Sequence, residues 1–240
     1  MIDVAFTRSE IRPARVAVVI DVLRATSTAT QALACGYERV LCAESIERAG
    51  ELRGEGRVLA GERHCVMPEG FDQGNSPRET LAPGGEELVL ATTNGAPAIV
   101  AAAAVAEEVL LGCLLNLAAV LSGLRERVDP MTDDVQLVCS GTDGAPALED
   151  IYAAGLISAA LPGPRSDSAL VCEAAARAYP TPVEALAASA DATVLRAAGL
   201  DADIAHCAAV SRLDCLPTVT DVAAGVATAT AIGDRATVIS

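Results

Sequence analysis

Acidic and basic side chains stand directly after two short apolar segments of the sequence. Asp21 and Arg24 follow the segment 15–20, and Glu62 follows the segment 57–61. Arginine holds an anionic group through paired hydrogen bonds, and carboxylate oxygens are preferred ligands of Mg²⁺. These residue types together predict a site for a phosphoryl substrate and a divalent cation. The alternative interpretations are a local ion pair or helix cap for Asp21 and Arg24, and a solvated loop charge for Glu62.

Hydroxyl and amide side chains follow three further apolar segments. A Thr-Thr-Asn-Gly segment begins at Thr92, Asn116 comes after a second apolar run, and a Ser-Gly-Thr-Asp-Gly segment begins at Ser140. Side chains of this kind commonly cap the beginning of a helix. Helix N-termini also present free N–H groups and the positive end of the helix dipole, so several of them together favour an anion. Capping and anion binding are compatible, and both interpretations stay open.

Two more stretches carry candidate functional residues. Glu149 and Asp150 are adjacent carboxylates near the beginning of a predicted helix, where they would interact favourably with the helix dipole. The same position would also let one of them reach the site as a metal ligand or a general base. The segment 68–77 is rich in Gly, Pro and polar side chains, which is typical of an ordered functional loop.

The elements that must position these residues follow an alternating pattern. Short β-branched apolar runs alternate with Ala-rich stretches, which predicts strands joined by helical crossovers and covered on both faces. We therefore predict an α/β fold, a three-layer α/β/α sandwich around a mostly parallel or mixed sheet. Ligands of such sheets bind outside the carboxyl ends of the strands, so the loops named above should converge on one crevice. The predicted strands are 2–6, 15–20, 39–43, 57–61, 87–92, 108–111 and 135–139, and the predicted helices are 27–36, 45–54, 97–106, 117–128 and 146–161.

The last third of the chain has a different pattern. From residue 162 onward the sequence predicts short Ala-rich helices and a last strand at 235–239. No long linker, low-complexity tail or fixed-period repeat separates this part from the rest. We therefore predict a single domain over residues 1–240.

The charged residues exclude several classes of protein. The 240 residues carry a formal net charge of −15, and all 17 basic residues are Arg because the sequence contains no Lys. Nucleic-acid binders neutralise phosphates with a basic face, so we expect no nucleic-acid partner. The absence of Lys also excludes a Walker-type phosphate loop and Schiff-base chemistry.

Cysteine usage and hydropathy indicate the compartment. The 8 cysteines include no Cys-x-x-Cys pair and lie mostly in apolar runs, which predicts buried free thiols in a reducing compartment, with metal binding as the weaker alternative. The sequence has neither the pattern of a secretory signal nor about 20 uninterrupted apolar residues. We expect a cytoplasmic protein with no membrane partner, and the Ala-rich C-terminal helices suggest a homodimer.

Familiar phosphatase motifs are missing. Leu23 stands where a haloacid-dehalogenase-type phosphatase carries its second Asp, and Cys139 is not followed by the Arg of a Cys-based phosphatase. His64 and His206 are the only histidines and lie far apart, which gives little support to a His-based phosphatase or metal site. We expect His206 to pack on a helix, whereas His64 is a weaker candidate for the crevice.

Five segments of the sequence form a distinctive set: VIDVLRATST at 19–28, LAGER at 59–63, GFDQGNSP at 70–77, TTNG at 92–95 and LVCSGT at 137–142 with LED at 148–150. Together they resemble one known family, the 2-phosphosulfolactate phosphatases, or ComB family, of coenzyme M biosynthesis. They fall in the order and spacing of the family from about residue 15 to 155, and the segments 203–208 and 214–217 resemble it more loosely. The residues 64–67 and Asp143 depart from the family pattern.

The resemblance implies a Mg²⁺-dependent phosphatase that converts (R)-2-phospho-3-sulfolactate to 3-sulfolactate and phosphate. Arg24 would hold the phosphoryl group, and Arg63 or Arg78 the carboxylate or sulfonate of the substrate. The expected catalytic residues are Asp21, Arg24, Glu62 and Asp150, the expected metal ligands are Asp21, Glu62 and Glu149, and the expected substrate-binding residues are Thr26, Ser27, Thr28, Arg63, Asp72, Asn75, Arg78, Asn94, Gly141 and Thr142.

Three points stay open at this stage. The departures lie beside the predicted crevice, so a phosphatase for another small phosphorylated 2-hydroxy acid is one alternative. A non-catalytic binder of small anions is another. The residues also do not decide whether water attacks the phosphorus atom directly or Asp21 forms a phosphoenzyme.

Overall fold

A nine-stranded sheet forms the centre of the molecule. The computed structural model describes residues 1–80, 83, 85–129 and 131–231, so the predicted strand 235–239 lies outside the described residues. All predicted strands before residue 140 are confirmed, with ends that differ by no more than one residue. The strands are β1 Ile2–Ala5, β2 Val16–Ile20, β3 Arg39–Ala43, β4 Arg57–Gly61, β5 Glu87–Ala91, β6 Glu108–Gly112, β7 Val135–Cys139, β8 Pro217–Ala223 and β9 Val226–Ala231.

The sheet contains two blocks of parallel strands that point in opposite directions. In the order β1-β7-β2-β6-β8-β9-β3-β5-β4, the first four strands pair in parallel and so do the last three. The hairpin β8–β9 joins the blocks by antiparallel pairing with β6 and β3. The prediction of short helices after residue 162 was wrong for this hairpin. Its Ala residues disfavour strands although its Thr and Val residues favour them, so the local signal is mixed and pairing with β6 and β3 decides the conformation.

Nine helices surround the sheet in the described part of the chain. The five helices predicted before residue 162 are confirmed, with ends that shift by up to three residues. None of the described helices combines the length and apolar character needed to cross a membrane. The helices are α1 Ala25–Ala34, α2 Ile46–Glu51, α3 Gly95–Ala103, α4 Leu117–Arg127, α5 Leu148–Ala160, α6 Asp167–Ala178, α7 Pro182–Ala187, α8 Ala190–Ala197 and α9 Asp201–Cys207.

Strand β2 shows how the three layers form. Val18 and Ile20 pack into a cluster with α4 and α5, whereas Ala17 and Val19 pack into a cluster with α1 and α3. Successive side chains of a strand point to opposite faces of the sheet, so β2 is covered on both sides. Helix α2 covers the outer face of β3, β4 and β5. The predicted three-layer α/β/α sandwich is confirmed.

Helices α1 and α3 connect the two blocks, because each of them contacts strands of both. Neighbouring strands of a sheet rotate by about 20–25° relative to one another, so the five steps from β2 to β5 accumulate roughly 100–125° of twist. The loops that follow β2 and β5 meet at one cavity although the two strands point in opposite directions. A Cβ atom added at Gly95, just after β5, would lie 2.2 Å from Asp21 Oδ2.

The cysteines behave as packing residues. All eight are free thiols, and only Cys35 and Cys65 are not fully buried, which confirms the prediction from their spacing. Burial raises the pKa of Cys42 to about 12, so its thiol stays protonated at neutral pH.

Candidate active site

A cavity of about 130 Å³ lies where the loops after β2, β4, β5 and β7 meet helix α8. The loop after β6, which the sequence also placed here, contributes no lining residue. Its Asn116 is fully buried and instead binds the backbone of Cys113, Leu111 and Cys215. The residues around the cavity are Asp21, Leu23, Arg24, Glu62, His64, Cys65, Asn75, Thr92, Thr93, Asn94, Thr142, Asp143, Asp191, Val194 and Leu195.

Asp21 is held at the cavity by the first turn of α1. Its Oδ1 accepts a hydrogen bond from the Ala25 N–H at 2.9 Å, and Thr26 Oγ1 lies 2.8 Å from the carbonyl oxygens of both Asp21 and Gly112. Ser27 Oγ donates to the Val22 carbonyl at 2.8 Å. Thr26 and Ser27 therefore shape the loop and do not line the cavity.

The charge of Asp21 is poorly balanced. Burial raises its pKa to about 7, against the opposing effect of the Ala25 N–H, and the nearby carboxylates of Asp191 and Glu62 add repulsion. A carboxyl group with this pKa carries a proton for part of the time at neutral pH.

Arg24 lines the same cavity but is tied to the C-terminal helices. Its Nη1 donates to Asp203 Oδ2 at 2.7 Å, and Asp203 Oδ1 accepts a hydrogen bond from Ser76 Oγ at 2.7 Å. Both charged side chains of the pair are buried. The network joins the loop after β2, the loop 68–77 and α9, and it fixes the direction of the guanidinium group.

Glu62 connects the loops after β4 and β5. Its Oε1 accepts from the Thr93 N–H at 2.8 Å and its Oε2 from the Cys65 N–H at 2.9 Å. His64 and Cys65 have positive φ angles of 50° and 62°, and they form a tight turn closed between Arg63 and Val66. The segment that departs from the family pattern therefore lies at the cavity, with His64 and Cys65 in its lining.

Glu149 and Asp150 lie in the first turn of α5, behind the cavity lining. Asp150 accepts from the Val22 N–H at 2.9 Å and from the Gly141 N–H at 3.2 Å, so it holds the loops after β2 and β7 together. Burial raises its pKa well above the usual range, with added repulsion from Asp21. Burial likewise raises the pKa of Glu149 to about 10, and its Oε2 has no hydrogen-bond partner.

Two functional candidates were missed by the sequence. Asp191, in the first turn of α8, lines the cavity and accepts a hydrogen bond from Thr142 Oγ1 at 2.5 Å. In the sequence it stands in an ordinary Ala-rich stretch, and no neighbouring motif marks it as a functional residue. Asp203 had only the weak signal of the looser family resemblance, and its pairing with Arg24 is visible only in the folded chain.

The other predicted substrate-binding residues divide into two groups. Asn75 and Asn94 line the cavity; Asn75 Oδ1 is buried without a partner, and Asn94 Oδ1 accepts from the Asp143 N–H at 3.2 Å. Thr142 lines it as well, and the remaining residues, including Gly141, do not. Arg63 and Arg78 are exposed, Thr28 is buried, and Asp72 accepts from the Leu59 N–H and pairs with Arg53. His206 hydrogen-bonds Gln31 from α9, in agreement with its predicted position on a helix.

The carboxylate side chains around the cavity are suitable ligands for a hard cation. Asp21, Glu62 and Asp191 all reach it, and carboxylate oxygens are the ligands that Mg²⁺ prefers. Within the described residues, however, no three His, Cys, Asp or Glu side chains are already arranged as a metal site. Glu149, a predicted ligand, does not line the cavity. The residues fit Mg²⁺ in chemical type, and its binding stays a prediction.

Comparison with known proteins supports one family. The family model described as 2-phosphosulpholactate phosphatase matches residues 4–222. The chain is 41% identical over 208 residues to a "Probable 2-phosphosulfolactate phosphatase" of Thermus thermophilus, and the matched region covers 84% of this chain and 86% of the relative. It is 38% identical over 221 residues to a protein of the same name from Deinococcus radiodurans, and this match covers 88% of the chain and 91% of the relative. A "2-phosphosulfolactate phosphatase" of Methanothermobacter thermautotrophicus is 34% identical to the chain over 190 residues, and this match covers 79% of the chain and 80% of the relative.

Proposed function

The chain belongs to the 2-phosphosulfolactate phosphatase family, which confirms the resemblance of its sequence segments, and we propose that it hydrolyses (R)-2-phospho-3-sulfolactate to 3-sulfolactate and phosphate. One observation carries this proposal. Each of the five segments that resemble the family contributes a side chain to the same cavity: Asp21 with Arg24, Glu62, Asn75, Asn94 and Thr142. The names of the relatives support a phosphoric monoester hydrolase.

In this mechanism Arg24 binds the phosphoryl oxygens. A guanidinium group has five N–H donors in a fixed plane, so Arg24 keeps donors for substrate while one nitrogen holds Asp203. The bond to Asp203 orients those donors before substrate arrives, and donors fixed in this way stabilise charge that develops in the transition state. Asn75 and Asn94 add neutral groups that position the other substrate oxygens.

Asp21 acts as the general acid or general base of the proposed hydrolysis. With a pKa of about 7 in the absence of a cation, it can take a proton from the attacking water or give one to the leaving oxygen near neutral pH. A cation bound to the same carboxylate would lower this pKa and favour the role of base. Direct attack by the ionised Asp21 carboxylate on phosphorus is the other route. Trapping of a phosphorylated protein by acid quench would separate the two routes.

We further propose Mg²⁺ as the cofactor, held by Asp21, Glu62 and Asp191. When bound, it would neutralise negative charge on the phosphoryl oxygens. The pKa of Asp21 is raised mainly by burial and further by repulsion from Asp191 and Glu62, and a cation at this position would relieve that repulsion. A cytoplasmic location, a homodimer and a role in coenzyme M biosynthesis stand as further proposals from the sequence.

Release of phosphate from a panel of phospho-acids tests this function. The panel contains 2-phospho-3-sulfolactate, 2-phospholactate and phosphoglycolate, each with Mg²⁺ and with EDTA. We expect the highest kcat/KM for 2-phospho-3-sulfolactate and loss of turnover in EDTA.

Other results would favour the alternatives. Turnover of 2-phospholactate or phosphoglycolate but not of 2-phospho-3-sulfolactate would assign a different hydroxy acid. The turn at His64 and Cys65 would then be the first place to seek the altered specificity. No release from any compound with Mg²⁺ present would favour a non-catalytic binder of anions.

A further inference from the structure

A smaller cavity of about 120 Å³ adjoins the candidate active site, and Thr93 and Asn94 line both. We name it the Arg8 cavity. It lies between the short 3-10 turn Arg8–Glu10 after β1 and the loops after β5 and β7. Its lining residues are Thr7, Arg8, Ser9, Thr93, Asn94, Ser140 and Gly144.

The charge of the Arg8 cavity differs from that of its neighbours. Its lining contains one arginine and no carboxylate. The candidate active site is lined by four acidic residues, and a larger cavity of about 560 Å³ on the other side of Arg24 is lined by Asp72 and Glu79. An anionic group that extends away from the candidate active site therefore meets the least repulsion in the Arg8 cavity.

Hydrogen-bond donors in the Arg8 cavity lack partners. Ser140 is 5% exposed and its Oγ has no hydrogen-bond partner, and Thr93 Oγ1 is also buried without one. Arg8 is exposed and forms no ion pair among the described residues. A buried polar group without a partner is destabilising, so native proteins usually satisfy such groups with a ligand or water.

The backbone holds these donors in place. The Ser140 N–H donates to the Ile20 carbonyl at 2.9 Å, which extends the pairing of β7 with β2, and the Thr93 N–H donates to Glu62 Oε1 at 2.8 Å. Asn94 immediately precedes α3, so the positive end of that helix dipole also points to this region. The two hydroxyl groups and the helix end belong to fixed elements, and Arg8 adds an exposed guanidinium group that has no ion-pair partner among the described residues.

We propose that the Arg8 cavity binds the sulfonate of the substrate while the phosphoryl group lies beside Arg24. This inference rests on the proposed function. Arg8, Thr93 and Ser140 are three donors from separate segments, which suits the three oxygens of a sulfonate better than the two of a carboxylate. Arg63 and Arg78, which the sequence suggested for this role, line neither cavity.

Steady-state kinetics of Arg8→Gln with two substrates tests the inference. We expect KM for 2-phospho-3-sulfolactate to rise at least about tenfold with kcat changed by less than about twofold, since the lost contact is remote from the phosphorus atom. KM for 2-phospholactate, which lacks the sulfonate, should stay within about twofold of its wild-type value. Ser140→Ala should show the same pattern with a smaller rise.

Arg125→Gln is the matched control for loss of one positive charge. Arg125 lies near the end of α4, donates to the Ala160 carbonyl at the end of α5, and lines none of the three cavities named above. Both KM values should be unchanged in this variant. An equal rise of both KM values in Arg8→Gln, or a selective rise in Arg63→Gln in its place, would overturn the inference.

Calorimetric binding of 3-sulfolactate, compared with lactate, separates this inference from the proposed function. Loss of at least about tenfold in 3-sulfolactate affinity in Arg8→Gln and in Ser140→Ala supports the sulfonate site even if the wild-type protein hydrolyses neither phospho-acid. If the wild-type protein binds 3-sulfolactate no better than lactate, the inference is wrong, whatever the protein hydrolyses.

Discussion

Two groups of buried acids flank the candidate active site, and their charges are balanced in different ways. Asp203 is paired with Arg24 at 2.7 Å and also accepts a hydrogen bond from Ser76. Asp21, Glu149 and Asp150 form no ion pair among the described residues, and burial raises the pKa of each. The chain thus supplies its own cation to Asp203, which we name the paired acid. Asp21, Glu149 and Asp150, which we name the unbalanced acids, must be neutralised by protons or by a bound cation.

Removal of the arginine tests the paired acid and should have the largest effect. Arg24→Ala leaves Asp203 buried without its partner, which typically costs about 3–5 kcal/mol in the free energy of unfolding. Urea denaturation measures this loss. The double variant Arg24→Ala with Asp203→Ala should recover part of the stability but no phosphatase activity. Unchanged unfolding of Arg24→Ala would show that the pair is not structural.

Asp21→Asn tests the unbalanced acids at the cavity. We expect kcat to fall about a hundredfold or more, which corresponds to roughly 3 kcal/mol in the activation barrier. The free energy of unfolding should not fall, because a neutral side chain removes repulsion from Glu62 and Asp191. Turnover and urea denaturation of the same preparation measure both. Near-normal turnover would remove Asp21 from the mechanism.

The pH dependence of stability tests the same group without mutation. The pKa of Asp21 is raised to about 7 and that of Glu149 to about 10 in the folded protein, so folded chains hold protons that unfolded chains release above about pH 4. Their contribution to stability is therefore complete below about pH 4. It is lost for Asp21 as the pH rises through 7 and for Glu149 as the pH rises towards 10.

We accordingly expect Asp21 alone to lower the free energy of unfolding in EDTA by roughly 2–3 kcal/mol between pH 5 and pH 8, and Glu149 to add to this fall. Mg²⁺ should reduce that fall if the unbalanced acids bind it, and Asp21→Asn should flatten the curve. Urea denaturation at four pH values, with and without Mg²⁺, gives both curves. Stability that rises with pH over this range would contradict the raised pKa values.

A pair of glycine variants tests the close approach of the two strand blocks and should have the smallest effect. A Cβ atom at Gly95 would lie 2.2 Å from Asp21 Oδ2 and 2.4 Å from the Ala25 Cβ, so Gly95→Ala should destabilise the protein by about 1–3 kcal/mol and lower kcat. Gly50→Ala is the control, because no atom lies within 4 Å of the added Cβ in α2. It should stabilise by about 0.5–1 kcal/mol. Equal behaviour of the two variants would contradict the contact.

Local patterns were sufficient for much of the fold. The strands before residue 140 are short β-branched runs, and their alternation with Ala-rich helices is a property of neighbouring residues, so pattern and propensity identify them. The same patterns placed Asp21, Arg24, Glu62, Asn94 and Thr142 after strands. They did not identify β8–β9, since the strand conformation there depends on partners distant in the sequence.

By itself, the sequence determined the family, the chemical type of the site and the segments that build it, because motif spacing and residue type are local properties. Only the tertiary structure decided which side chains meet. The bond from Val22 to Asp150 spans 128 residues and the bond from Arg24 to Asp203 spans 179, and no local pattern predicts contacts at such separations. The twist of the sheet, the burial that raises the pKa of Asp21 and the position of Asp191 likewise arise only when distant segments pack together.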